Sequence, residues 1–153
     1  MLPDEIILSQ VPAILQLMQI AHQEKCNVVG VQEVPIEHVS RYGVIGIKRQ
    51  FSPNLFQVKE LVEKPKISDA PSNLAMIGRY VLSPNIFDIL GESKIGVGGE
   101  IQLTDAIQEL LYAGEKVFAY KIQGARYDVV NQLWLLQANL DFALRDPQYS
   151  GKM

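Results

Sequence analysis

Apolar residues recur at helical spacing in one stretch of this chain and in short continuous runs elsewhere. Between residues 12 and 24 they fall on one face of a helix. Short apolar runs, several of them rich in Val and Ile, predict strands at residues 6–8, 27–33, 42–47, 56–63, 76–82 and 117–122. Because strands alternate with helices, the pattern predicts an α/β domain with a mixed sheet.

Capping and stop signals predict three further helices. They span residues 83–90, 104–113 and 131–144. Ser83 and Pro84 supply an N-cap and a first-turn proline for the first. Thr104 is a cap for the second, and Gly114 is well placed to stop it. The third ends near Pro147, and a glycine-bearing loop is predicted at residues 92–99.

Composition bounds the class of protein. At 153 residues and 48% hydrophobic, the chain is long enough for one ordinary domain with a core. A net charge of −3 and a pI near 5.4 give no electrostatic reason to expect nucleic acid or an anionic membrane as partner. The single Cys26 cannot form an intramolecular disulfide, no apolar run reaches the roughly 18 residues of a membrane span, and the acidic opening lacks a signal peptide's basic head. We therefore expect a cytoplasmic protein.

The most informative local pattern is an acid and a base side by side where a strand stops at proline. Glu63 and Lys64 end the run at residues 56–63, and Pro65 follows. Proline disfavours the helical region for the residue before it, so Lys64 should be extended. Glu63 and Lys64 would then point to opposite sides, unless the turn redirects both. Read alone, the pair is more typical of solvated surface charges than of a binding site.

The surrounding motifs carry a resemblance. Val62-Glu63-Lys64-Pro65, Pro71-Ser72-Asn73-Leu74-Ala75, Gly78-Arg79-Tyr80-Val81-Leu82-Ser83 and Gly99-Glu100-Ile101-Gln102-Leu103-Thr104-Asp105-Ala106-Ile107 occur in this order. In order and spacing they resemble the bacterial UTP–glucose-1-phosphate uridylyltransferases, also called UDP-glucose pyrophosphorylases. The match is highly specific and runs through almost the whole chain.

The resemblance implies a fold and a domain assignment. Residues 1–153 correspond to the carboxyl-terminal, sugar-phosphate-binding part of a nucleotidyltransferase domain. The implied fold is a partial Rossmann-like nucleotidyltransferase fold with a mixed sheet. The glycine-rich loop that binds the nucleoside triphosphate belongs to the family's amino-terminal half, so we expect a truncated enzyme.

The resemblance also implies a reaction and residues for it. The full enzyme would form UDP-glucose and pyrophosphate from UTP and glucose 1-phosphate with Mg²⁺. Glu63 would accept hydrogen bonds from the glucose hydroxyls, and Lys64 would be the catalytic cation on the sugar phosphate. Gly43 would offer its backbone N–H to the sugar, Met76 lies in the sugar-contacting strand, and Glu100 is expected at the pocket rim. For Met76 a plain core position is equally compatible with the sequence.

Two aspartates are the metal candidates by the same resemblance. Asp4 follows a proline at the end of a strand, and Asp128 follows Tyr127; both offer the oxygen ligands that Mg²⁺ prefers. The family has glycine and lysine where this chain has Val130 and Gln132. Without that lysine, the site has one cation fewer to bind phosphate, so the change affects the catalysis that the resemblance implies.

Partners follow from the missing part of the fold. A sheet without its first strands leaves exposed edges that invite pairing with another chain, so we expect a homo-oligomer or a complementing amino-terminal half. The small-molecule partner would be a sugar phosphate or UDP-glucose, and the chain should be inactive alone. The alternative is a non-catalytic binding or regulatory module that pairs with a full-length homologue or a separate amino-terminal half.

Overall fold

A computed structural model describes residues 4–92 and 99–151 of the chain. Its strands are β1 (Glu5–Leu8), β2 (Asn27–Glu33), β3 (Gly43–Ser52), β4 (Leu55–Glu63), β5 (Leu74–Val81), β6 (Val117–Lys121) and β7 (Ala125–Asp128). Its α-helices are α1 (Ala13–Glu24), α2 (Asn85–Glu92), α3 (Leu103–Tyr112), α4 (Gln132–Arg145) and α5 (Pro147–Ser150), and 3-10 turns lie at Ile36–Arg41 and Ile67–Asp69. Most of the loop predicted at residues 92–99 lies outside the described residues.

Five of the strands form one closed, mixed sheet in the order β2-β5-β3-β4-β6, with β6 pairing back to β2. The β2–β6 pair is parallel, and the other pairs are antiparallel. β3 continues to Ser52 rather than ending at residue 47, because its polar second half is held by cross-strand pairing with β4 and not by burial. Among the described strands, closure leaves free edges only on the separate two-stranded sheet of β1 and β7.

Helices cover the closed sheet and complete two apolar cores. Leu17 of α1 is fully buried and packs in a cluster with Val28, Ile77 and Phe118. Ile86 of α2 and Ile107 of α3 pack in a larger cluster with residues of β2 to β6. Among the described residues, no helix combines the length and apolar character needed to span a membrane.

The ends of α3 partly match the sequence prediction. Gly114 follows the helix with a φ of 86°, and the N–H of Glu115 bonds the carbonyl of Leu110, so the predicted stop is confirmed. The prediction of Thr104 as the N-cap is wrong, because Gln102 occupies that position. Thr104 is the second residue of the helix, where its hydroxyl makes a different contact.

Candidate functional site

A cavity of about 440 Å³ opens where the end of β4 meets β3, β5, the start of β1 and the segment before α3. Its lining residues are Asp4, Glu5, Arg41, Tyr42, Gly43, Glu63, Lys64, Met76, Gly78, Tyr80, Ile101, Gln102, Leu103 and Thr104. Five of the site residues proposed from the sequence therefore share one cavity: Asp4, Gly43, Glu63, Lys64 and Met76. Glu100 and Asp128 are not part of its lining.

The backbone turns sharply at the end of β4. Lys64 has a φ of 44°, in the left-handed region that is uncommon for residues other than glycine. Its N–H is held by the carbonyl of Tyr42 at 3.0 Å. The expectation of an extended Lys64 is wrong, and the turn directs both side chains into the cavity, where Lys64 Nζ lies 3.6 Å from Glu63 Oε1. Tertiary pairing overrides the preference that Pro65 imposes.

Glu63 is held in place by a hydroxyl. Thr104 Oγ1 donates to Glu63 Oε2 at 2.6 Å, and Thr104 is only 6% exposed. The Glu63 side chain is 10% exposed, whereas the Lys64 side chain is 51% exposed. The carboxylate is therefore fixed from the α3 side, and its second oxygen lies near the half-exposed Lys64 ammonium.

Gly43 lies where the cavity wall has no room for a side chain. It pairs with Glu63 across β3 and β4, and its neighbour Val44 pairs with Ala75 on β5. A Cβ at residue 43 would come within 2.3 Å of Met76 Cε, 2.8 Å of Thr104 Oγ1 and 3.0 Å of Glu63 Oε2. A glycine here leaves room for these three side chains to pack against the backbone of β3.

A bulge in β5 brings Met76 and Tyr80 to the same cavity. Val31 pairs with Met76 and Val29 with Tyr80, so β5 has extra residues in this interval, with Gly78 at a φ of 65° between them. Burial raises the pKa of Tyr80 to about 12; the Glu63 and Asp4 carboxylates also raise it, whereas a backbone hydrogen bond at Gly78 and the charge of Arg79 lower it. The Tyr80 hydroxyl thus stays protonated as a hydrogen-bond donor beside two carboxylates.

The pairing of β1 with β7 brings the two metal candidates, Asp4 and Asp128, to the same end of the two-stranded sheet. Glu5 pairs with Asp128 across β1 and β7, and the N–H of Val129 donates to the carbonyl of Asp4 at 3.0 Å. Asp128 Oδ1 also accepts from the N–H of Val130 at 3.2 Å. No cluster of three or more potential metal ligands occurs in the part of the chain that the structure describes. Two carboxylates fit Mg²⁺ when phosphate and water complete its coordination.

An ion pair beneath the cavity joins the two sheets. Arg126 of β7 donates to both carboxylate oxygens of Glu5, at 2.6 and 2.7 Å, and to the Tyr42 hydroxyl at 2.9 Å. Burial would lower the pKa of Arg126, but these hydrogen bonds more than compensate and raise it. Arg79, 6% exposed, also donates to the backbone carbonyl of Glu5.

The segment before α3 contributes differently from the sequence prediction. Glu100 is exposed, whereas the neighbouring Ile101, Gln102, Leu103 and Thr104 line the cavity. Arg41 and Tyr42 were not predicted as site residues, but they enter the lining from the turn before β3. Their position directly before Gly43, a predicted site residue, was the available signal.

Comparisons with known proteins agree with this fold. The family model for nucleotidyl transferases matches residues 1–143. UTP–glucose-1-phosphate uridylyltransferase of Staphylococcus epidermidis is 46% identical over 98% of this chain and 51% of its own length. The protein of that name from Bacillus subtilis is 45% identical over 100% of this chain and 52% of its own. The chain thus spans about half the length of the curated relatives it matches.

Solved structures give the same result. A UDP-glucose pyrophosphorylase complexed with UDP-glucose matches with a TM-score of 0.84 and 37% identity, over 94% of this chain and 54% of that one. A UTP-bound enzyme from Acinetobacter baumannii matches with a TM-score of 0.81 and 32% identity, over 99% of this chain and 52% of that one. The resemblance and the α/β fold class predicted from the sequence are confirmed.

Tyr80 gives the cavity a measurable pH dependence. Its pKa is raised above the ordinary value of 10.0 to about 12, so its contribution to stability is fully present below pH 10 and is lost as the pH rises to 12. Between these pH values the wild type should lose about 2 kcal/mol more unfolding free energy than Tyr80→Phe. Urea unfolding at a series of pH values measures this.

Tyr112→Phe is the matched control, because Tyr112 is 74% exposed. It should follow the wild-type profile. Superimposable profiles for Tyr80→Phe and the wild type would contradict the placement of the Tyr80 hydroxyl beside the two carboxylates.

Proposed function

Because this chain belongs to the nucleotidyl transferase family, we propose that it forms the sugar-phosphate side of a UTP–glucose-1-phosphate uridylyltransferase site. The observation that carries the proposal is the convergence of Glu63, Lys64 and Gly43 on one cavity, with Thr104 fixing the Glu63 carboxylate at 2.6 Å. A fixed carboxylate next to a half-exposed cation suits a ligand that combines hydroxyl groups with a phosphate.

Glu63 is proposed to bind the sugar. Thr104 already donates to Oε2, and the pairing of Oε1 with Lys64 at 3.6 Å is loose. A carboxylate accepts several hydrogen bonds, so sugar hydroxyls can bind to it without displacing the Thr104 contact. The backbone N–H of Gly43 and the Met76 side chain provide the adjoining polar and apolar walls, and Glu100 remains a prediction for the rim.

Lys64 is proposed as the catalytic cation. Its side chain is half exposed, and exposed ion pairs contribute little stability, so it can leave Glu63 for a phosphate at small cost. In the proposed reaction a phosphate oxygen of glucose 1-phosphate attacks the α-phosphorus of UTP, a new P–O bond forms, and the bond to pyrophosphate breaks. Lys64 would neutralise the crowded anions during this exchange. Arg41 offers a second cation in the same cavity.

Asp4 and Asp128 are proposed to hold Mg²⁺. Asp4 directly precedes β1, which pairs with the β7 strand that ends at Asp128, and a pair of carboxylates suits an ion whose remaining ligands are phosphate and water. The ion would supply charge neutralisation of the triphosphate. Asp4 links the proposed metal site to the proposed sugar site, because it directly precedes β1 and also lines the cavity.

A non-catalytic role is the second candidate. Val130 and Gln132 stand where the family has glycine and lysine, and Val130 is 75% exposed. A chain without that lysine could bind the sugar nucleotide, or regulate an intact homologue, without turnover. The cytoplasmic location and the homo-oligomeric state expected from the sequence stay predictions.

Binding of UDP-glucose tests the sugar site directly. Titration calorimetry should detect binding to the wild-type chain, and Glu63→Ala should weaken it at least about tenfold, because each lost hydrogen bond to a charged group is worth roughly 1.5–3 kcal/mol. Glu60→Ala is the control, since Glu60 lies on the same strand but outside the cavity lining. Equal affinity for the wild type and Glu63→Ala would remove the proposed role of Glu63.

Substitutions of Thr104 distinguish a role in positioning the Glu63 carboxylate from a role in core packing. Thr104→Val keeps the buried volume but removes the donor, whereas Thr104→Ser keeps the donor and removes a methyl group. If the hydroxyl positions Glu63, the valine variant should bind UDP-glucose about tenfold more weakly and the serine variant nearly as well as wild type. If Thr104 matters only for packing, calorimetry should give the reverse order.

Turnover separates the two candidate functions. With UTP, glucose 1-phosphate and Mg²⁺, we expect no pyrophosphate release from this chain alone, because it spans about half the length of the relatives. Release should begin on co-expression with the remaining part of the Bacillus subtilis relative if the chain is catalytic. Activity of the chain alone that Glu63→Ala abolishes would overturn the expectation.

A further inference from the structure

A second cavity lies beside the same helix and strand that line the candidate site. It is formed by the second half of α3, the middle of β3 and β4, and the segment that leads into β6. Its volume is about 550 Å³, and none of its lining residues belongs to the cavity of the candidate site. A concave space of this size is typical of small-molecule sites.

Three lysines from three separate segments line this second cavity, which we call the lysine cavity. Lys48 belongs to β3, Lys59 belongs to β4, and Lys116 directly precedes β6. Because β4 pairs with both β3 and β6, the three side chains come from neighbouring parts of one sheet. Like charges on neighbouring strands repel each other, so a ligand with several negative charges would relieve this repulsion.

The carboxylates nearby do not balance the three lysines. Of the described residues that line the cavity, only Glu115 carries a carboxylate. Its two oxygens already accept three hydrogen bonds at 2.7 to 2.8 Å, from Asn27, Ser83 and Asn85. Lys59 also lies 3.5 Å from Glu60 Oε1, but an ion pair between side chains that are 66% and 42% exposed is weak. The lining therefore has an excess of positive charge, although the whole chain carries a net charge of −3.

The neutral residues of the lysine cavity also suit a phosphate-bearing molecule. The Gln108 side-chain oxygen accepts from the N–H of Leu61 at 2.7 Å, so the amide NH₂ is the part of Gln108 that can donate to an anion. Val58 and Val117 are buried and form an apolar floor, and the ring of Tyr112 is 74% exposed at the rim. Cationic groups above an apolar floor fit a ligand that has both phosphate groups and a carbon framework.

We propose that the lysine cavity binds a small molecule that carries at least two phosphate charges. A lysine ammonium is a flexible point charge that binds phosphate without a fixed geometry. A cleft lined by charges of one sign also raises the local concentration of ions of the opposite sign. The site is distinct from the one in the proposed function, because the two cavities share no lining residue.

A nucleic acid is the weaker candidate for these lysines. A nucleic-acid surface is typically an extended basic patch on a domain with a pI above about 9, whereas this chain has a pI near 5.4. The three lysines surround one concave space instead of following a long path across the surface. Their number and arrangement match a single small anion.

Titration with inorganic pyrophosphate, followed by the backbone amide resonances of the isotope-labelled chain, tests this site. Every protein in the series carries Lys64→Gln, because pyrophosphate also suits the candidate site. Pyrophosphate should shift the amide resonances of Lys59 and Lys116 in a saturable way. The double substitution Lys48→Gln with Lys116→Gln should weaken this binding at least about tenfold, because two charged hydrogen-bond donors are lost. Lys48→Arg with Lys116→Arg keeps both charges and should retain it.

The matched control removes the same charge outside the lysine cavity, by Lys25→Gln with Lys121→Gln. It should bind pyrophosphate as well as the protein that carries Lys64→Gln alone. All the replaced lysines are at least partly exposed, so the amide spectra of the variants should remain those of a folded chain. Equal affinity of the Lys48 and Lys116 glutamine variant and this control would overturn the proposal, and so would shifts confined to Gly43 and Glu63. UDP-glucose titration of the wild type tests the proposed function independently.

Discussion

The contact between Arg126 and Glu5 is the interaction on which the site depends. It joins β7 to β1 through two hydrogen bonds, and a third from Arg126 reaches Tyr42, beside the closed sheet. The Arg126 guanidinium also lies 4.9 Å from the centre of the Tyr42 ring. Desolvating an ion pair offsets much of its attraction, so its main effect here is geometric: it fixes how the two sheets meet.

That geometry has a direct consequence for the cavity. Tyr42 precedes Gly43, and its carbonyl holds the N–H of Lys64, so the residue that receives the Arg126 contact also sets the turn after β4. Asp4 precedes Glu5 at the opposite wall. One buried ion pair thus couples the placement of the metal candidate to the placement of the sugar-binding candidates, although these lie on separate sheets.

The spacing of apolar residues was sufficient to predict the strands and helices. It did not predict which side chains meet in the cavity. The strands at residues 27–33 and 56–63 and the helix from residue 13 were predictable because their apolar spacing is local information. The left-handed Lys64 was not, because a hydrogen bond to Tyr42, distant in sequence, overrides the local effect of Pro65. Thr104 was misread as a cap for the same reason: its partner, Glu63, is 41 residues away.

The two halves of the candidate site differ in how they are supported. Glu63, Gly43 and Met76 belong to a closed sheet with two apolar cores, so their arrangement is stabilised by the described residues themselves. Asp128 belongs to a two-stranded ribbon, and Asp4 directly precedes it; the helix that follows leaves its leucines exposed. The sugar-site candidates are therefore supported within the closed sheet, whereas the metal candidates depend on the two-stranded sheet and on the Arg126–Glu5–Tyr42 contacts that join it to the closed sheet.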